Sequence, residues 1–375
     1  MFLALIVFIF IISIIIFVHE FGHFAVAKLS GVKVEEFSIG FPPVIWKKKK
    51  GETQYSIGAV LFGGFNKIYG MDTTDEKTLS DPRSFDSQKI GVKLLIILGG
   101  VLMNIILAAI IFYFLLASYG FNFYQPLIFS DYKFPLGEQE NFPVIAEVIP
   151  DSPAQICGLN PNDIIVAANW VKLSGSKSFA EFIDNNLGKE VALNVKNMLT
   201  REEKTVKVVP RVDTPQGEDP LGIAMGDVAL LSYKSLGEKS GAGFLHSFNF
   251  IHYSFVSLGR IIEFSIQERT AAPLASAFVG PVGIFAVTKI IAAEGIYQMI
   301  NLLAVISLAL AITNILPIPA LDGAKGIFIF LQAIDKKRFS QKLQLQIEQA
   351  GMVFIILLAV FLVFKDFFQF KDIIF

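Results

Sequence analysis

The sequence predicts a polytopic α-helical membrane protein with about four transmembrane helices, a membrane-associated β-hairpin region and one α+β soluble domain. Hydrophobic residues make up 53% of the 375-residue chain, and its mean hydropathy is +0.58. Charged residues account for 17%, against about a quarter in average soluble proteins. The apolar residues are concentrated in a few long segments, and β-forming residues dominate two stretches between them. These patterns indicate a bundle of membrane helices that carries a soluble insertion.

Four segments are long and apolar enough to cross a bilayer, which takes about 20 residues of helix. They cover approximately residues 1–28, 92–118, 298–318 and 349–368. Neither Lys nor Arg precedes the first apolar run, and no small-residue cleavage site follows it. We therefore expect the first segment to be a retained transmembrane helix and not a cleaved signal peptide.

Basic residues after the first and third segments predict the orientation of the chain. Residues 47–50 are all lysine, and Lys336, Lys337 and Arg338 follow the third segment. Cytoplasmic loops of membrane proteins are enriched in Lys and Arg, so both loops should be cytoplasmic. Four spans then place both chain termini outside the cytoplasm, together with the long stretch between the second and third segments.

A fifth apolar stretch, residues 243–266, predicts a different kind of helix. It contains polar residues such as His246, His252 and Arg260. Such a pattern is typical of an amphipathic helix that lies on or partly in the membrane. A fifth span would also reverse the orientation of everything after it and place the basic cluster outside, so we disfavour it.

Between the first two spans, residues 40–69 predict β-hairpins packed against the cytoplasmic side of the membrane. β-forming residues alternate there around turn signals at Gly51 and at Gly63-Gly64. The density of Phe, Ile and Val favours burial in the protein or the membrane interface. This region and the first two spans form a predicted N-terminal membrane part at 1–120.

Residues 142–212 predict the soluble domain, because short β-forming runs alternate there with turn residues. Strands are expected at 144–149, 164–169, 191–196 and 205–209, and a helix at 178–187. The remaining predicted segments are a linker at 121–141, a linker with the amphipathic helix at 213–297, and a C-terminal membrane part at 298–375.

His19, Glu20 and His23 form an H-E-x-x-H pattern at the end of the first apolar segment. On a helix, histidines four residues apart point from one face and can hold one Zn²⁺. Glu20 lies beside them, where it can act as a general base on water. Because His and Glu are costly inside a membrane unless they have a function, the pattern indicates a catalytic zinc site. The alternative is a histidine pair that caps a membrane helix at the interface.

Asp322 is the best candidate for a third zinc ligand. A catalytic zinc site usually has three protein ligands and one open position. Asp322 and Lys325 are the only charged residues between positions 299 and 334, and a carboxylate at membrane depth usually binds something. The alternatives are that Asp322 caps the helix that follows it, or that His246 or His252 completes the site instead.

The composition also limits the other functions open to the chain. A net charge of −1 argues against a nucleic-acid partner. The single cysteine, Cys157, excludes an intrachain disulfide and a Cys-ligated zinc site. Two non-proteolytic alternatives are a membrane scaffold that displays the soluble domain and a transporter that uses Asp322 and Asn314 as ligands. A scaffold needs neither the H-E-x-x-H pattern nor Asp322, and no inverted repeat supports a transporter.

These motifs resemble the site-2 protease family of intramembrane zinc metalloproteases, most closely its bacterial envelope-stress branch. A second motif, residues 314–323 (NILPIPALDG), is similar to the family pattern NxxPxxxLDG. The resemblance implies a zinc endopeptidase with His19, His23 and Asp322 as metal ligands and Glu20 as catalytic base. It implies location in a bacterial inner membrane and single-span membrane proteins as substrates, such as anti-sigma factors or signal-peptide remnants.

The resemblance also implies substrate-binding residues. In the family, the position of Asn314 is thought to contact the unwound substrate backbone, although an interhelical hydrogen bond explains such an Asn equally well. The segment with Gly63, Gly64 and Phe65 resembles a membrane-reentrant hairpin that binds an extended substrate by strand addition. Asn104 occupies the family's Gly-x-x-x-Asn position, which lies near the metal.

Residues 142–212 resemble a PDZ domain. The residues that carry this resemblance are Ser152-Pro153-Ala154, Gly158-Leu159 and Asp163-Ile164-Ile165. PDZ domains capture peptide ends by strand addition, so the resemblance implies peptide ends as partners and a role as a size filter for substrates. The chain departs from the family's usual residues at Val101, Asn162, Ala324 and Lys325.

Overall fold

The structure, a computed structural model, describes residues 2–335 and 338–374. The described residues form eleven helices and nine strands. They divide into two compact units, of which the first comprises Met1–Phe112 and Ile261–Phe375 and the second comprises Tyr113–Arg260. Within the predicted basic cluster after the third span, Lys336 and Lys337 lie outside the described residues.

The elements follow one another along the chain in a simple order. The first are α1 (Phe2–Leu29), β1 (Val34–Lys50), β2 (Thr53–Ile68), α2 (Glu76–Ser80) and α3 (Ile90–Ser118). The strand-rich part contains β3 (Asn122–Leu127), β4 (Glu138–Val148), α4 (Pro153–Ile156), β5 (Asp163–Ala168), β6 (Val171–Lys172), α5 (Ser176–Asp184), β7 (Val191–Asn197), β8 (Glu203–Val208) and β9 (Ile223–Ser232). The last are α6 (Leu236–Gln267), α7 (Ala272–Ala277), α8 (Pro281–Glu294), α9 (Ile296–Ile315), α10 (Asp322–Ile334) and α11 (Gln341–Ile374).

Within the part of the chain that the structure describes, four helices are long and apolar enough to cross a membrane, which agrees with the predicted number of spans. They are α1, α3, α9 and α11, with candidate spans at Ala4–Leu29, Ile90–Ser118, Ile296–Ile315 and Gln341–Lys371. Each contains one of the predicted apolar segments or most of it. Helix α6 is a single helix of 32 residues but is not among these candidates, and its position relative to the membrane stays a prediction.

The predicted hairpin region forms a two-stranded antiparallel sheet of β1 and β2, which turns between Lys50 and Thr53. The hairpin also folds back on itself, because Phe37 of β1 pairs with Tyr55 on one side and with Asn66 on the other. Aromatic side chains attach this sheet to α1, since the rings of Phe37 and Phe24 are 5.0 Å apart. The packing fixes β2 against the helix that carries the H-E-x-x-H pattern.

The second unit contains a sheet in the order β3-β9-β4-β5-β7-β8, with β6 paired to β5. All of its pairings are antiparallel. Strands β4, β5, β7 and β8 and helix α5 correspond to the strands and helix expected within residues 142–212. Alternate residues of these strands point to one face, where Ile165, Leu193 and Phe179 are buried in the core.

The structure contains further elements in segments that the sequence predicted as linkers. Strand β3 lies within 121–141, and β9 lies within 213–297, yet both belong to the sheet of the second unit. Helix α8, of 14 residues, also lies within 213–297 and packs against α1, where the rings of Phe285 and Phe8 are 5.9 Å apart. The sheet is therefore wider than the predicted soluble domain.

Candidate metal centre and catalytic base

Helix α1 places His19 and His23 one turn apart on the same face, as their spacing predicts. Both residues are buried, each with 8% of its surface exposed. Their rings meet at an angle of 84°, and their Nε2 atoms are 3.2 Å apart. The two nitrogens therefore converge on one point beside the helix.

Asp322 completes the cluster from a distant part of the chain. Helix α9 ends at Ile315, the segment with Pro317 and Pro319 interrupts the helix, and α10 begins at Asp322. The Oδ2 atom of Asp322 lies 3.2 Å from Nε2 of His19 and 3.3 Å from Nε2 of His23. The carboxylate faces the imidazoles, and no side-chain bond caps the start of α10.

These three atoms fit a zinc ion. Three ligands of a tetrahedral zinc ion with bonds of about 2.0–2.1 Å are about 3.4 Å apart. The three observed distances of 3.2 Å, 3.2 Å and 3.3 Å are close to that value. The Oδ2 atom of Asp322 is also buried without a hydrogen-bond donor among the described residues, which is costly unless a cation satisfies it. The donor set of two imidazoles and one carboxylate is typical of catalytic zinc.

Hydrogen bonds on the far side of each imidazole orient the ring. Nδ1 of His23 lies 2.8 Å from the carbonyl oxygen of Ile96, so Nδ1 carries the proton and Nε2 presents its lone pair to the cluster. Nδ1 of His19 lies 3.4 Å from the amide of Asn104, whose buried Oδ1 has no hydrogen-bond partner among the described residues. If the amide were turned over, Oδ1 would accept the proton of Nδ1 and would hold His19 in the same tautomer. The hydroxyl of Ser307 donates to the main-chain carbonyl oxygen of Asn104 at 2.9 Å and so fixes the backbone at this position.

Glycines allow α3 to lie directly behind the cluster. A Cβ atom built on Gly100 would overlap Nε2 of His23 and lie 2.6 Å from Cε1 of His19. A Cβ atom built on Gly99 would lie 2.7 Å from the main-chain carbonyl oxygen of Gly22 in α1. The backbones of α1 and α3 are thus in contact, which small residues permit between membrane helices.

Glu20 is the neighbour of His19, and its carboxylate is held by the hairpin. Nδ2 of Asn66 in β2 donates to Oε2 of Glu20 and to its main-chain carbonyl oxygen, at 2.7 Å in both cases. Asn66 directly follows the predicted residues Gly63, Gly64 and Phe65 in the hairpin segment, but it was not itself predicted as a site residue. The available signal is its register, because Asn66 shares a strand face with buried Ile68, where an apolar residue is expected.

The predicted substrate-binding residues lie around the same cluster. Nδ2 of Asn314 is 3.5 Å from Nε2 of His19, and the residue is 9% exposed. A Cβ atom on Gly64 would lie 3.2 Å from Cγ of Glu20, so this glycine packs on the stem of the candidate base. Gly63 and Phe65 flank it in β2. The structure thus places Asn314 and Asn104 beside His19 and Gly64 beside Glu20. Contact of the predicted residues with a substrate stays a prediction.

The alternative ligands His246 and His252 lie in the second unit, Tyr113–Arg260, and not in the cluster. Nδ1 of His246 lies 3.3 Å from the hydroxyl of Tyr233, and Nδ1 of His252 lies 2.6 Å from the hydroxyl of Tyr132. Burial lowers the pKa of His246 to about 3, so this imidazole is neutral in the folded protein. Both histidines have structural contacts of their own.

Residues 7–358 of the chain match peptidase family M50. A protein of Clostridium acetobutylicum, described as a candidate zinc metalloprotease, is 30% identical over 355 residues, which are 94% of each chain. One of Rickettsia conorii with the same description is 31% identical over 97% of this chain and 98% of its own. A chloroplast membrane metalloprotease of Arabidopsis thaliana is 27% identical over 95% of this chain and 77% of its own.

Proposed function

Since this chain belongs to peptidase family M50, we propose that it is a zinc endopeptidase that cleaves transmembrane segments of single-span membrane proteins. The observation that carries the proposal is the cluster of His19, His23 and Asp322 beside Glu20. Its three donor atoms lie within 3.3 Å of one another, and the two imidazoles belong to a candidate membrane span. A protease site inside a membrane helix is of use only if the substrate bond is also in or near the membrane.

The residues of the cluster have separate tasks in peptide hydrolysis. His19, His23 and Asp322 would hold Zn²⁺, which supplies Lewis acidity to activate water and polarise the scissile carbonyl. Glu20 takes a proton from the attacking water and returns it to the nitrogen of the leaving amine. The buried position of both histidines excludes bulk water from the ligands and strengthens the electrostatic interactions within the site.

A transmembrane substrate must be unwound before it can be cleaved, because the carbonyl groups of a helix are already hydrogen-bonded. The strand that contains Gly63, Gly64 and Phe65 can pair with an extended substrate segment by strand addition. Asn314 offers both a donor and an acceptor to the same backbone. Its amide lies 3.5 Å from a candidate zinc ligand, which supports a position close to the scissile bond.

The remaining parts of the proposal concern partners and location. The resemblance to the envelope-stress branch supports a bacterial inner membrane, with anti-sigma factors or signal-peptide remnants as substrates. The basic run at 47–50 supports a cytoplasmic hairpin. Together with four candidate spans, it supports a location of both termini and of the sheet of the second unit outside the cytoplasm. In that position, a PDZ-like domain could bind the peptide ends of shortened substrates.

Cleavage of a tagged single-span membrane protein by the purified full chain in detergent tests this function. We expect the wild type to bind zinc and cleave the substrate, Glu20→Gln to bind zinc without cleavage, and Asp322→Asn to lose both. Glu263→Gln, a change of an exposed carboxylate on α6, is the matched control and should retain activity. A well-folded wild type that contains no zinc would overturn the proposal.

A further inference from the structure

Among the described residues, Asn66 is the only residue of the hairpin that makes a polar contact with Glu20, the candidate base. Its Nδ2 atom donates to Oε2 and to the main-chain oxygen of Glu20, at 2.7 Å in each case. The two residues are 46 positions apart in sequence, so the bond depends on how β2 packs against α1.

The contact restricts a side chain that otherwise has three rotatable bonds. Asn66 engages one carboxylate oxygen, Oε2, so Oε1 remains for the proton of the attacking water. Gly64, two residues earlier on the same strand face, lies against the stem of Glu20, where a Cβ atom would be 3.2 Å from Cγ. The carboxylate is thus fixed by Asn66 at its oxygen and by Gly64 along its stem.

Strand pairing and aromatic packing attach the hairpin to α1 near Glu20. Asn66 pairs with Phe37 across the sheet. The ring of Phe37 lies 5.0 Å from that of Phe24 and 6.0 Å from that of Phe17, both of them in α1. Phe37, the strand partner of Asn66, therefore packs on α1 both one turn before and one turn after Glu20.

A purely structural role does not explain why this residue is an asparagine. Asn66 shares its strand face with buried Ile68, and its Oδ1 atom is buried without a hydrogen-bond partner among the described residues. An unpartnered buried amide oxygen destabilises a fold, so an apolar residue would serve stability better here. Such local violations of a folding pattern are concentrated at functional sites.

We propose that Asn66 is a positioning residue, which holds the carboxylate of Glu20 in the orientation that proton transfer requires. The inference rests on the proposed function, since it assigns Asn66 a part in the same reaction. It also gives the hairpin two roles, because the strand expected to pair with the substrate also orients the carboxylate of Glu20. Loss of the bond should therefore slow the chemical step and leave substrate binding unchanged.

Asn66→Val tests the inference, because valine fits a strand, lacks the amide donor and removes the unpartnered oxygen. We expect kcat to fall by about 10- to 100-fold, the usual effect of removing a partner that orients a catalytic group, with KM and zinc content unchanged and thermal stability equal to that of the wild type or higher. Asn66→Gln keeps an amide donor on a longer side chain and should recover part of kcat.

Gln54→Leu is the matched control. Gln54 lies in the same hairpin, and its Nε2 atom donates to Oε1 of Glu36 at 3.2 Å, so the variant also removes an amide–carboxylate bond, but not one to Glu20. We expect its kcat to equal that of the wild type. If Gln54→Leu and Asn66→Val lower kcat equally, the hairpin is merely structural and the inference is wrong.

The other outcomes separate the inference from the proposed function. A zinc-containing wild type that cleaves no single-span substrate would contradict the proposed function itself. With an active wild type, the inference is overturned if Asn66→Val keeps its kcat within twofold. It is also overturned if the variant raises only KM, which would assign Asn66 to substrate binding, or if it loses zinc or thermal stability. A lower kcat at unchanged KM and zinc content, with no loss of thermal stability, supports positioning.

Discussion

Replacement of Gly100 by alanine should empty the metal site, although alanine normally stabilises a helix by about 1 kcal/mol relative to glycine. Gly100 lies in α3, directly behind the two imidazoles. The added Cβ atom would overlap Nε2 of His23 and lie 2.6 Å from Cε1 and 2.7 Å from Nδ1 of His19. Optimal separations between such non-bonded atoms are about 3.5–4.0 Å, so the rings or the helices must move apart by about 1 Å.

A displacement of that size is large on the scale of metal coordination. Bonds from zinc to histidine are about 2.0–2.1 Å, and a working site keeps its ligand distances within about 0.2 Å. A shift of about 1 Å therefore removes at least one of His19 and His23 from the coordination sphere. We expect Gly100→Ala to lower zinc affinity by at least about 100-fold, the upper end of the effect of losing a partner that merely orients a ligand.

Zinc affinity is measured by competition with a chelator, and helix content is followed in parallel to show that the protein is folded. Gly91→Ala is the matched control, because Gly91 lies in the same helix and a Cβ atom there would meet nothing within 4 Å. If Gly100→Ala binds zinc as tightly as Gly91→Ala, the inference that α3 packs too closely on the cluster to admit a Cβ atom is wrong.

Two further predictions concern stability. Asp366 is fully buried in α11, and its Oδ2 atom accepts from the main-chain nitrogens of Gly280 at 2.8 Å and Gly283 at 2.9 Å. Asp366→Leu leaves both donors unpaired at about 1–3 kcal/mol each, so the melting temperature in detergent should fall, and an unchanged value would contradict this. Because burial lowers the pKa of His246 to about 3, the unfolded chain alone takes up this proton as the pH falls below about 6.5. The free energy of unfolding should then decrease by about 1.4 kcal/mol for each unit by which the pH falls below that value. Hydrogen exchange measured at several pH values should show a smaller decrease for His246→Gln.

The four spanning helices could be predicted from the sequence because their signal is local. An uninterrupted apolar run of sufficient length determines both the helix and its membrane location, whatever else surrounds it. The strands β4, β5, β7 and β8 were predictable for a related reason, since alternation and turn residues are also read within a few positions. These elements need no knowledge of distant partners.

The elements that were missed depend on distant partners. Strands β3 and β9 pair with each other from Asn122 opposite Ser232 to Leu127 opposite Asp227, 100 to 110 residues apart in sequence. Helix α8 is apolar but only 14 residues long, too short to be recognised as a span. No short window contains the information that joins such segments, so a local reading assigned them to linkers.

The candidate metal ligands could be predicted because they lie in short sequence motifs, whereas the hydrogen-bond partner of Glu20 could not. His19, Glu20 and His23 form one short motif, whose chemistry is specific enough to predict two ligands and the base, and Asp322 belongs to a second motif at residues 314–323. Asn66 belongs to no such motif. Its contact with Glu20 follows from the packing of β2 on α1, which only the structure supplies.

The prolines before Asp322 explain how a carboxylate can be placed beside the imidazoles of a candidate membrane span. Pro317 and Pro319 end α9, so a new helix, α10, begins at Asp322. The first turn of a helix has unpaired N–H groups and the positive end of the helix dipole, and both favour a negative charge. In the middle of a continuous helix, the same carboxylate would lack this support. The interruption therefore does two things, because it turns Asp322 toward the imidazoles of α1 and helps to stabilise its charge.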